Sequence, residues 1–368
     1  MFLAWYNGMK IGIDCQAFGA GLRHGFTTYV GNLLVALRHR YPDSEFLEWP
    51  CRYHAGWRIP HQLWWDQGRV PWRGLRGGVD VIHQPAFSGA LCRAQPLVLT
   101  VHDLLYARHP EWLPTWRARW YWATWIPLTA RHASAVIAPS EATKQDLVTL
   151  AGVPSDRVIV VPHAVDPLFS QRPSNNRIQA YRARQGLTEP YVLYVGAIDR
   201  RKDWQGLLKG FAHMRRTYSS FRLVIAGHVS GQRSDLTEAI RTADLGSAVV
   251  LVGHVLDQDL PALYAGAELF VYPSWWEGFG LPPLEAMAMG VPVIAYKTSS
   301  LPEVMGDAGI LLDRPYTHTA LAENMEHLIA DQTLRSKLIE KGFRQAATFS
   351  WERAAEQTMA VYEGCVNS

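Results

Sequence analysis

Two stretches of this sequence open in the same way, and that repetition constrains the fold more than any other feature. Met9–Asp14 (MKIGID) reads as a short buried strand. A glycine-containing loop follows from Gly19 to Gly25, and Thr27–Arg40 then carries apolar residues at helical spacing, with Thr27 placed to cap the helix. Much later, Tyr191–Val195 (YVLYV) reads as a second opening strand, followed by the loop Gly196–Asp203 and a helical stretch, Trp204–Tyr218. Strand, loop and helix keep alternating after both starts. That pattern predicts two doubly wound α/β domains with parallel sheets.

Further strands are expected at Val79–His83, Leu97–Val101, Ala135–Ala138 and Val158–Val161 in the first domain. The second domain continues with Phe221–Ala226, Ala248–Val252, Leu269–Tyr272, Val291–Ala295 and Gly309–Leu312. The polar, proline-interrupted stretch Asp166–Gly186 reads as the interdomain linker. The expected domains are 1–170 and 171–350, and a last helix, 351–368, can pack on either. A chain of 368 residues suits two domains of ordinary size.

Composition narrows the function class. The apolar fraction of 48% and charged fraction of 19% fit a globular protein in water. A net charge of +3 is too small to argue for nucleic acid. The N-terminal half is mildly basic, which suits an acidic acceptor or an anionic membrane surface, or is a chance imbalance. The four cysteines, Cys15, Cys51, Cys92 and Cys365, have no zinc-site spacing, so a reduced, cytoplasmic setting is expected. No apolar run reaches the roughly 20 residues of a membrane helix. Met1–Gly8 is too short for a signal-peptide core and reads as an extension outside the fold.

In open α/β sheets, ligands sit beyond the carboxyl ends of the strands. Four loops there carry chemistry. The first is Trp276-Glu277-Gly278-Phe279-Gly280-Leu281-Pro282-Pro283-Leu284-Glu285. Its glycines allow close backbone approach, its prolines suit a first helical turn, and Gly290 ends the helix. Free amides at such a helix start favour anions and sugar oxygens. Glu277 and Glu285 are good acceptors for vicinal hydroxyls. Glu285, read inside the first turn, is equally explained as a favourable charge near a helix N-terminus.

The second loop is Val195-Gly196-Ala197-Ile198-Asp199-Arg200-Arg201-Lys202-Asp203, with three consecutive cations. Arg and Lys can neutralise a departing diphosphate without a metal, although a charge run is usually a solvated turn. The third is Thr100-Val101-His102-Asp103, which sets His102 at a strand's carboxyl end. His102 can donate to a sugar hydroxyl or shuttle a proton, and a lone histidine is more often structural. The fourth, Gly19 to Thr27, does not fit a dinucleotide-binding spacing.

Taken together, these stretches resemble retaining glycosyltransferase family 4, whose E-x7-E motif the first loop matches. The resemblance runs from Ile11 to the C-terminal helix. It implies the GT-B fold, two Rossmann-like domains facing a cleft, with the last helix crossing back to the N-terminal domain. It implies that Glu277 contacts the donor sugar and Glu285 the nucleotide ribose, with Gly278 and the backbone of Phe279, Gly280 and Leu281 close to sugar and diphosphate. Arg201 and Lys202, after Gly196, match an Arg-Lys pair that grips the diphosphate. His102 matches a histidine at the donor sugar, and Asp103 is expected to orient it or to meet the acceptor. Gly25 and Phe26 match a glycine-hydrophobic step at the donor phosphate.

Further matches are Pro139-Ser140-Glu141, Pro162-His163-Ala164-Val165-Asp166 and Leu301-Pro302-Glu303-Val304. Two positions depart from the pattern. Ala197 stands where some members have Arg, and Ala164 stands where Gly is commoner. Asp257-Gln258-Asp259 has the D-x-D form of a metal motif from a different glycosyltransferase fold, but it precedes the helical run Leu260–Ala267 and reads as helix-capping acid. No cofactor and no essential metal are expected.

The resemblance implies transfer of a hexose, mannose first, from a nucleoside diphosphate sugar to a glycan or lipid-linked acceptor in surface polysaccharide synthesis. No covalent nucleophile stands out, so front-face departure and attack is expected, with domain closure excluding water. An epimerase or phosphorylase of the same fold, and a non-catalytic sugar-nucleotide-binding subunit, stay open as alternatives. Most of the 15 tryptophans precede residue 126, and Arg117, Arg119 and Arg131 are interleaved with the last of them. The segment 112–131 is therefore read either as a contact with the inner face of a membrane or as a packed helix pair.

Overall fold

The computed structural model describes residues 8–16, 25–50, 59–199, 201–228 and 233–367. The chain forms two compact units: Met1–His163 together with Ser350–Ser368, and Ala164–Phe349.

The first unit holds a six-stranded sheet. Its strands are β1 (Lys10–Asp14), β2 (Glu45–Trp49), β3 (Val81–Gln84), β4 (Leu97–Thr100), β5 (Ala135–Ala138) and β6 (Val158–Val160). They lie in the order β2-β1-β3-β4-β5-β6, and every pairing is parallel. Strands β3, β4 and β5 are buried along their whole length, which is why they read as unbroken apolar runs.

Strand β2 was not expected. Its sequence EFLEW has no clean alternation: Phe46 and Trp49 are buried on opposite faces and both glutamates are exposed, as suits an edge strand paired only to β1. Gly12 in β1 makes the pairing possible, because a Cβ there would lie 2.2 Å from the Trp49 ring.

The helix expected from Thr27 begins two residues earlier and spans Gly25–Arg40, so Thr27 sits inside its first turn rather than capping it. The last helix, Trp351–Val366, packs on that helix and on β3, β4 and β5. Two short stretches wind with wider π-type hydrogen bonding, Trp65–Arg69 and Tyr121–Trp125.

The second unit repeats the plan. Its strands are β7 (Tyr191–Val195), β8 (Arg222–Ala226), β9 (Val249–Gly253), β10 (Leu269–Tyr272), β11 (Val293–Tyr296) and β12 (Ile310–Leu312). The order is β12-β11-β10-β7-β8-β9, again all parallel. Sequence-expected strand ends agree with these within a few residues.

The stretch expected to be a linker is instead built into this unit. Ser174 caps a helix, Asn175–Arg184, whose Ile178 and Tyr181 are buried in the core. Arg172 donates to the carbonyls of Met289 and Ala265. Only two apolar positions anchor that helix among arginines, so its periodicity is faint.

Candidate active site

In the second unit, two loops at the carboxyl ends of β7 and β10 are tied by their backbones. Asp203 N donates to Pro273 O at 2.7 Å, and Trp275 N donates to Arg201 O at 2.7 Å. An isolated antiparallel bridge joins Lys202 and Ser274. This clamp brings Lys202 to Glu277, 75 residues away in sequence, and the two form an ion pair. The Lys202 ammonium also donates to the Tyr272 hydroxyl, and Ser274 Oγ donates to the same Glu277 Oε1 that Lys202 reaches.

Both charges are nearly out of water: the side chains are 4% and 13% exposed. Burial pulls the Lys202 pKa below its usual value, although Glu277 opposes the shift. Burial alone would raise Glu277, but Lys202 and Arg201 outweigh it and hold the carboxyl below the usual range. Each charge thus favours the ionised form of the other, against the burial of both.

Arg201 is held differently. Its guanidinium pairs with Asp199 at 3.0 Å and its backbone N donates to Asp199 Oδ1 at 2.8 Å. Arg201 is a positioned cation on a tight turn, not a freely solvated one. Gly196 closes the preceding strand end by donating its N–H to Ala226 O at 2.9 Å.

Beyond Glu277 the chain is pinned by two serines. Glu277 N donates to Ser299 Oγ at 2.9 Å, and Ser300 Oγ lies 3.0 Å from Glu277 O and 2.6 Å from Phe279 O. Gly280 then turns with φ +109°, where a Cβ would sit 2.8 Å from Leu301. The helix Leu281–Ala288 starts there with Pro282 and Pro283 in its first turn and no side-chain cap. Pro282 and Pro283 carry no N–H and Leu284 N donates to Gly280 O, so Leu281 N is the helix amide at this end; it and the amides of Gly278 and Phe279 before it are the expected anion-facing donors.

Glu285 is the fifth residue of this helix, so it lies in the second turn and not the first. A simple charge-to-helix-end explanation is weakened accordingly, because that effect fades within one turn. Its Oε2 instead accepts from the buried Tyr264 hydroxyl at 2.8 Å. Gly290, at φ +69°, follows the C-cap as expected.

In the first unit, His102 follows β4 and is 9% exposed. Its Nε2 lies 2.9 Å from Pro85 O and its Nδ1 lies 3.1 Å from His163 Nε2. Thr143, on the helix Glu141–Thr149 that Ser140 caps, donates to the His102 carbonyl at 3.3 Å. Asp103 accepts from Leu105 N at 3.0 Å in a tight turn, and His163 and Pro85 contact the His102 ring. Burial pushes His102 down to about 4 and His83 down to about 3, so both are neutral at physiological pH.

Gly25 and Phe26 open the Gly25–Arg40 helix, while the preceding residues 17–24 and Arg200 lie outside the described residues. Asp257–Asp259 forms a short 3-10 turn ahead of the helix Leu260–Ala265. Asp259 stands at the cap position, but its carboxylate pairs with Arg184 at 2.6 Å instead of accepting from the helix amides. Guanidinium competition is stronger than a neutral N–H. Sequence reading missed Tyr264, Tyr272, Ser274, Ser299, Ser300 and the role of His163. None stands in a patterned run, and only the fold brings them to the charged groups.

Known proteins share the family and the fold of this chain. Residues 178–345 match the description "Glycosyl transferases group 1", and residues 32–168 match "Glycosyltransferase Family 4". The chain is 32% identical to the O-antigen chain mannosyltransferase B of Escherichia coli over 272 residues, 74% of this chain and 71% of that protein. In structure it is similar to WaaG, a glycosyltransferase involved in lipopolysaccharide biosynthesis, with a TM-score of 0.76 at 15% identity, covering 96% of this chain and 100% of that one. It is also similar to Anabaena Alr3699/HepE in complex with UDP and glucose, with a TM-score of 0.73 at 18% identity, covering 97% and 100%. With two parallel six-stranded sheets and this kinship, the chain belongs to the family-4-like group 1 glycosyltransferases and has their GT-B fold.

Proposed function

We propose that this glycosyltransferase moves a hexose, mannose first, from a nucleoside diphosphate sugar to a hydroxyl of a glycan or lipid-linked acceptor, with retention at the anomeric carbon. The observation that carries the reading is the buried Lys202–Glu277 pair beside the start of the Leu281–Ala288 helix. Two opposite charges held this dry are costly unless a ligand uses them.

Lys202 and Arg201 supply positive charge for a departing diphosphate, assisted by the backbone amides of Gly278, Phe279 and Leu281. Lys202 and Ser274 both reach Oε1 of Glu277, which leaves Oε2 as the acceptor for sugar hydroxyls. Glu285, steadied by Tyr264, accepts from the ribose hydroxyls. His102 donates to the sugar, and Asp103 lies toward the acceptor. No metal is required in this scheme, because the cations are the protein's own.

The name of the Escherichia coli relative supports mannose and a role in surface polysaccharide synthesis. The bound UDP in the Anabaena structure supports a nucleotide-sugar donor of some base. Among the described residues no helix is long and apolar enough to cross a membrane. In this reading a lipid-linked acceptor meets the surface of the first unit at Trp116, Arg117 and Trp120, whose rings are exposed beside a guanidinium.

The test is incubation of the chain with UDP-, GDP-, ADP- and dTDP-sugars in the presence of EDTA. A thermal shift identifies the donor by mass action, and proton NMR of the product reads the anomeric configuration. Release of free nucleoside diphosphate only on acceptor addition supports transfer. Binding with no turnover would favour a non-catalytic subunit, and an inverted product would refute retention.

A further inference from the structure

Three consecutive hydroxyls, on Thr298, Ser299 and Ser300, stand just beyond the carboxyl end of β11. Each is bonded to the backbone of the loop that carries Glu277. Thr298 Oγ1 donates to Trp275 O at 3.0 Å, Ser299 Oγ accepts from Glu277 N at 2.9 Å, and Ser300 Oγ lies 2.6 Å from Phe279 O and 3.0 Å from Glu277 O. A backbone N–H only donates and a carbonyl only accepts, so each bond takes its direction from its backbone partner. Thr298 and Ser300 are buried and Ser299 is half-buried, so water competes little for these groups.

The three bonds hold different parts of the loop. Thr298 holds its start, where Trp275 N is tied to Arg201 O. The two serines hold Glu277 itself. A peptide group is planar, so a residue is oriented by the two peptide planes that flank it. The plane before Glu277 is tied through its N–H to Ser299, and the plane after it is tied through its C=O to Ser300. One short segment thus fixes both soft backbone dihedrals of Glu277. The carboxylate is fixed separately, at Oε1, by Lys202 and Ser274.

Ser299 stands at a strained position. Its φ of +44° lies in the left-handed region, where glycine is favoured over a residue with a Cβ. Glycine would suit the turn better but would bring no acceptor for Glu277 N. Strain of this kind persists where the surrounding structure imposes it, most often at functional sites.

We infer that Ser299 is a positioning residue for transfer: its hydroxyl, carried on a strained backbone, fixes the peptide plane before Glu277 and so the place at which the Glu277 carboxylate meets the sugar. The inference rests on the proposed contact of Glu277 with the donor sugar. Without the acceptor, that plane is free to rotate, Glu277 is held only through its side chain and Ser300, and the reacting sugar loses its alignment.

The experiment compares two variants with opposite effects on fold and site. Ser299→Gly removes the acceptor and relieves the backbone. Ser299→Thr keeps the hydroxyl but adds a β-branch that the left-handed region tolerates poorly. Kinetics are read with whichever of UDP-, GDP-, ADP- and dTDP-sugars the native chain turns over. Ser299→Gly should keep Tm within about 3 °C of native, while kcat falls about five- to tenfold and donor KM changes less than about twofold, the size of one lost hydrogen bond. Ser299→Thr should melt several degrees lower and keep most of the native kcat well below its Tm. Hydrogen exchange gives a ligand-free readout: the Glu277 amide should exchange faster in Ser299→Gly and at the native rate in Ser299→Thr. Should Ser299→Thr fail to fold, the exchange and kinetics of Ser299→Gly still decide. Native kcat in Ser299→Gly, while Glu277→Gln is inactive, overturns this inference alone, and so does a kcat that simply follows Tm across both variants. Unchanged transfer by Glu277→Gln overturns the role of Glu277, and this inference with it.

Discussion

Lys202 and Glu277 form an ion pair that joins the β7 and β10 loops, and Ser274 and Tyr272 hydrogen-bond to its two ends. Removing one partner leaves the other charge buried and uncompensated, at a cost of about 3–5 kcal/mol. Lys202→Met should therefore lower the Tm of the second unit by about 10 °C and abolish transfer. The double variant Lys202→Met/Glu277→Gln removes both charges and should recover much of the stability but none of the activity. If the double variant were active, the pair would be structural only, and differential scanning calorimetry with a transfer assay separates the two outcomes.

Tyr264 and Glu285 offer a finer test of nucleotide binding. The Tyr264 hydroxyl donates to Glu285 at 2.8 Å, and both sit behind the proposed ribose contact. Tyr264→Phe keeps the carboxylate but frees it to move. A hydrogen bond to a charged group contributes about 1.5–3 kcal/mol. Nucleoside diphosphate affinity should fall roughly tenfold, measured by titration calorimetry, with kcat little changed at saturating donor. An unchanged Kd would remove Glu285 from the ribose site.

Much of the fold was legible because most strands are short apolar runs, and β3, β4, β5, β10 and β11 are buried along their whole length, as parallel strands covered on both faces are. Strand β2 escaped because EFLEW carries two glutamates and neither alternates cleanly nor forms an unbroken apolar run. The helix Asn175–Arg184 was hidden among arginines, with only Ile178 and Tyr181 to mark its buried side. At the site, the residue types were visible in the loops but their partners were not. Lys202 meets Glu277 across 75 positions and His102 meets His163 across 61, and no local pattern encodes such pairings. The same holds for the tryptophans. Trp65 is buried with its Nε1 donating to Asp14 at 2.9 Å, whereas the adjacent Trp64 is 55% exposed.

Acid should destabilise the first unit. His83, His102 and His163 are all lowered by burial, so the unfolded chain binds protons that the folded one does not. Their contribution is fully present above the usual 6.5 and is lost as pH falls toward about 4 for His102 and about 3 for His83. Asp14, raised to about 6 by burial, and Asp66, raised well above its usual value by burial, act with the opposite sign. Their contribution is greatest below 3.8 and is lost as pH rises through their folded-state values. Asp146, also raised by burial, joins these carboxyls, and each proton by which the histidines outweigh them costs roughly 1.4 kcal/mol per pH unit on acidification. Urea unfolding followed by tryptophan fluorescence should show this slope, and His83→Gln should flatten it. A slope of reversed sign would mean that the carboxyls dominate.

The aromatic surface of the first unit divides into two classes, and substitution should separate them. Trp122 is packed edge-on against Phe87 at 4.9 Å and Tyr106 at 5.1 Å. Trp122→Ala should cost about 3–5 kcal/mol of stability, as for other large aromatics removed from packing. Trp116 is 72% exposed with the Arg117 guanidinium 5.5 Å from its ring, and Trp120 is 41% exposed. A second such group, which the interleaving of 112–131 did not indicate, lies between residues 64 and 76. Arg69 sits 5.5 Å from both the Trp64 and Trp72 rings, and Arg76 sits 5.2 Å from Trp72. Trp–Arg groups of this kind suit an anionic bilayer interface, where the ring enters the headgroup layer and the cation meets phosphate. Trp116→Ala/Trp120→Ala should leave unfolding free energy within about 0.5 kcal/mol of native and lower flotation with phosphatidylglycerol vesicles several-fold. Trp64→Ala/Trp72→Ala should add to that loss if both groups face the same membrane. Donor hydrolysis should persist in both variants, because neither touches the second unit's charged pair. Equal loss of vesicle binding and hydrolysis would show that these tryptophans support the fold rather than a membrane contact.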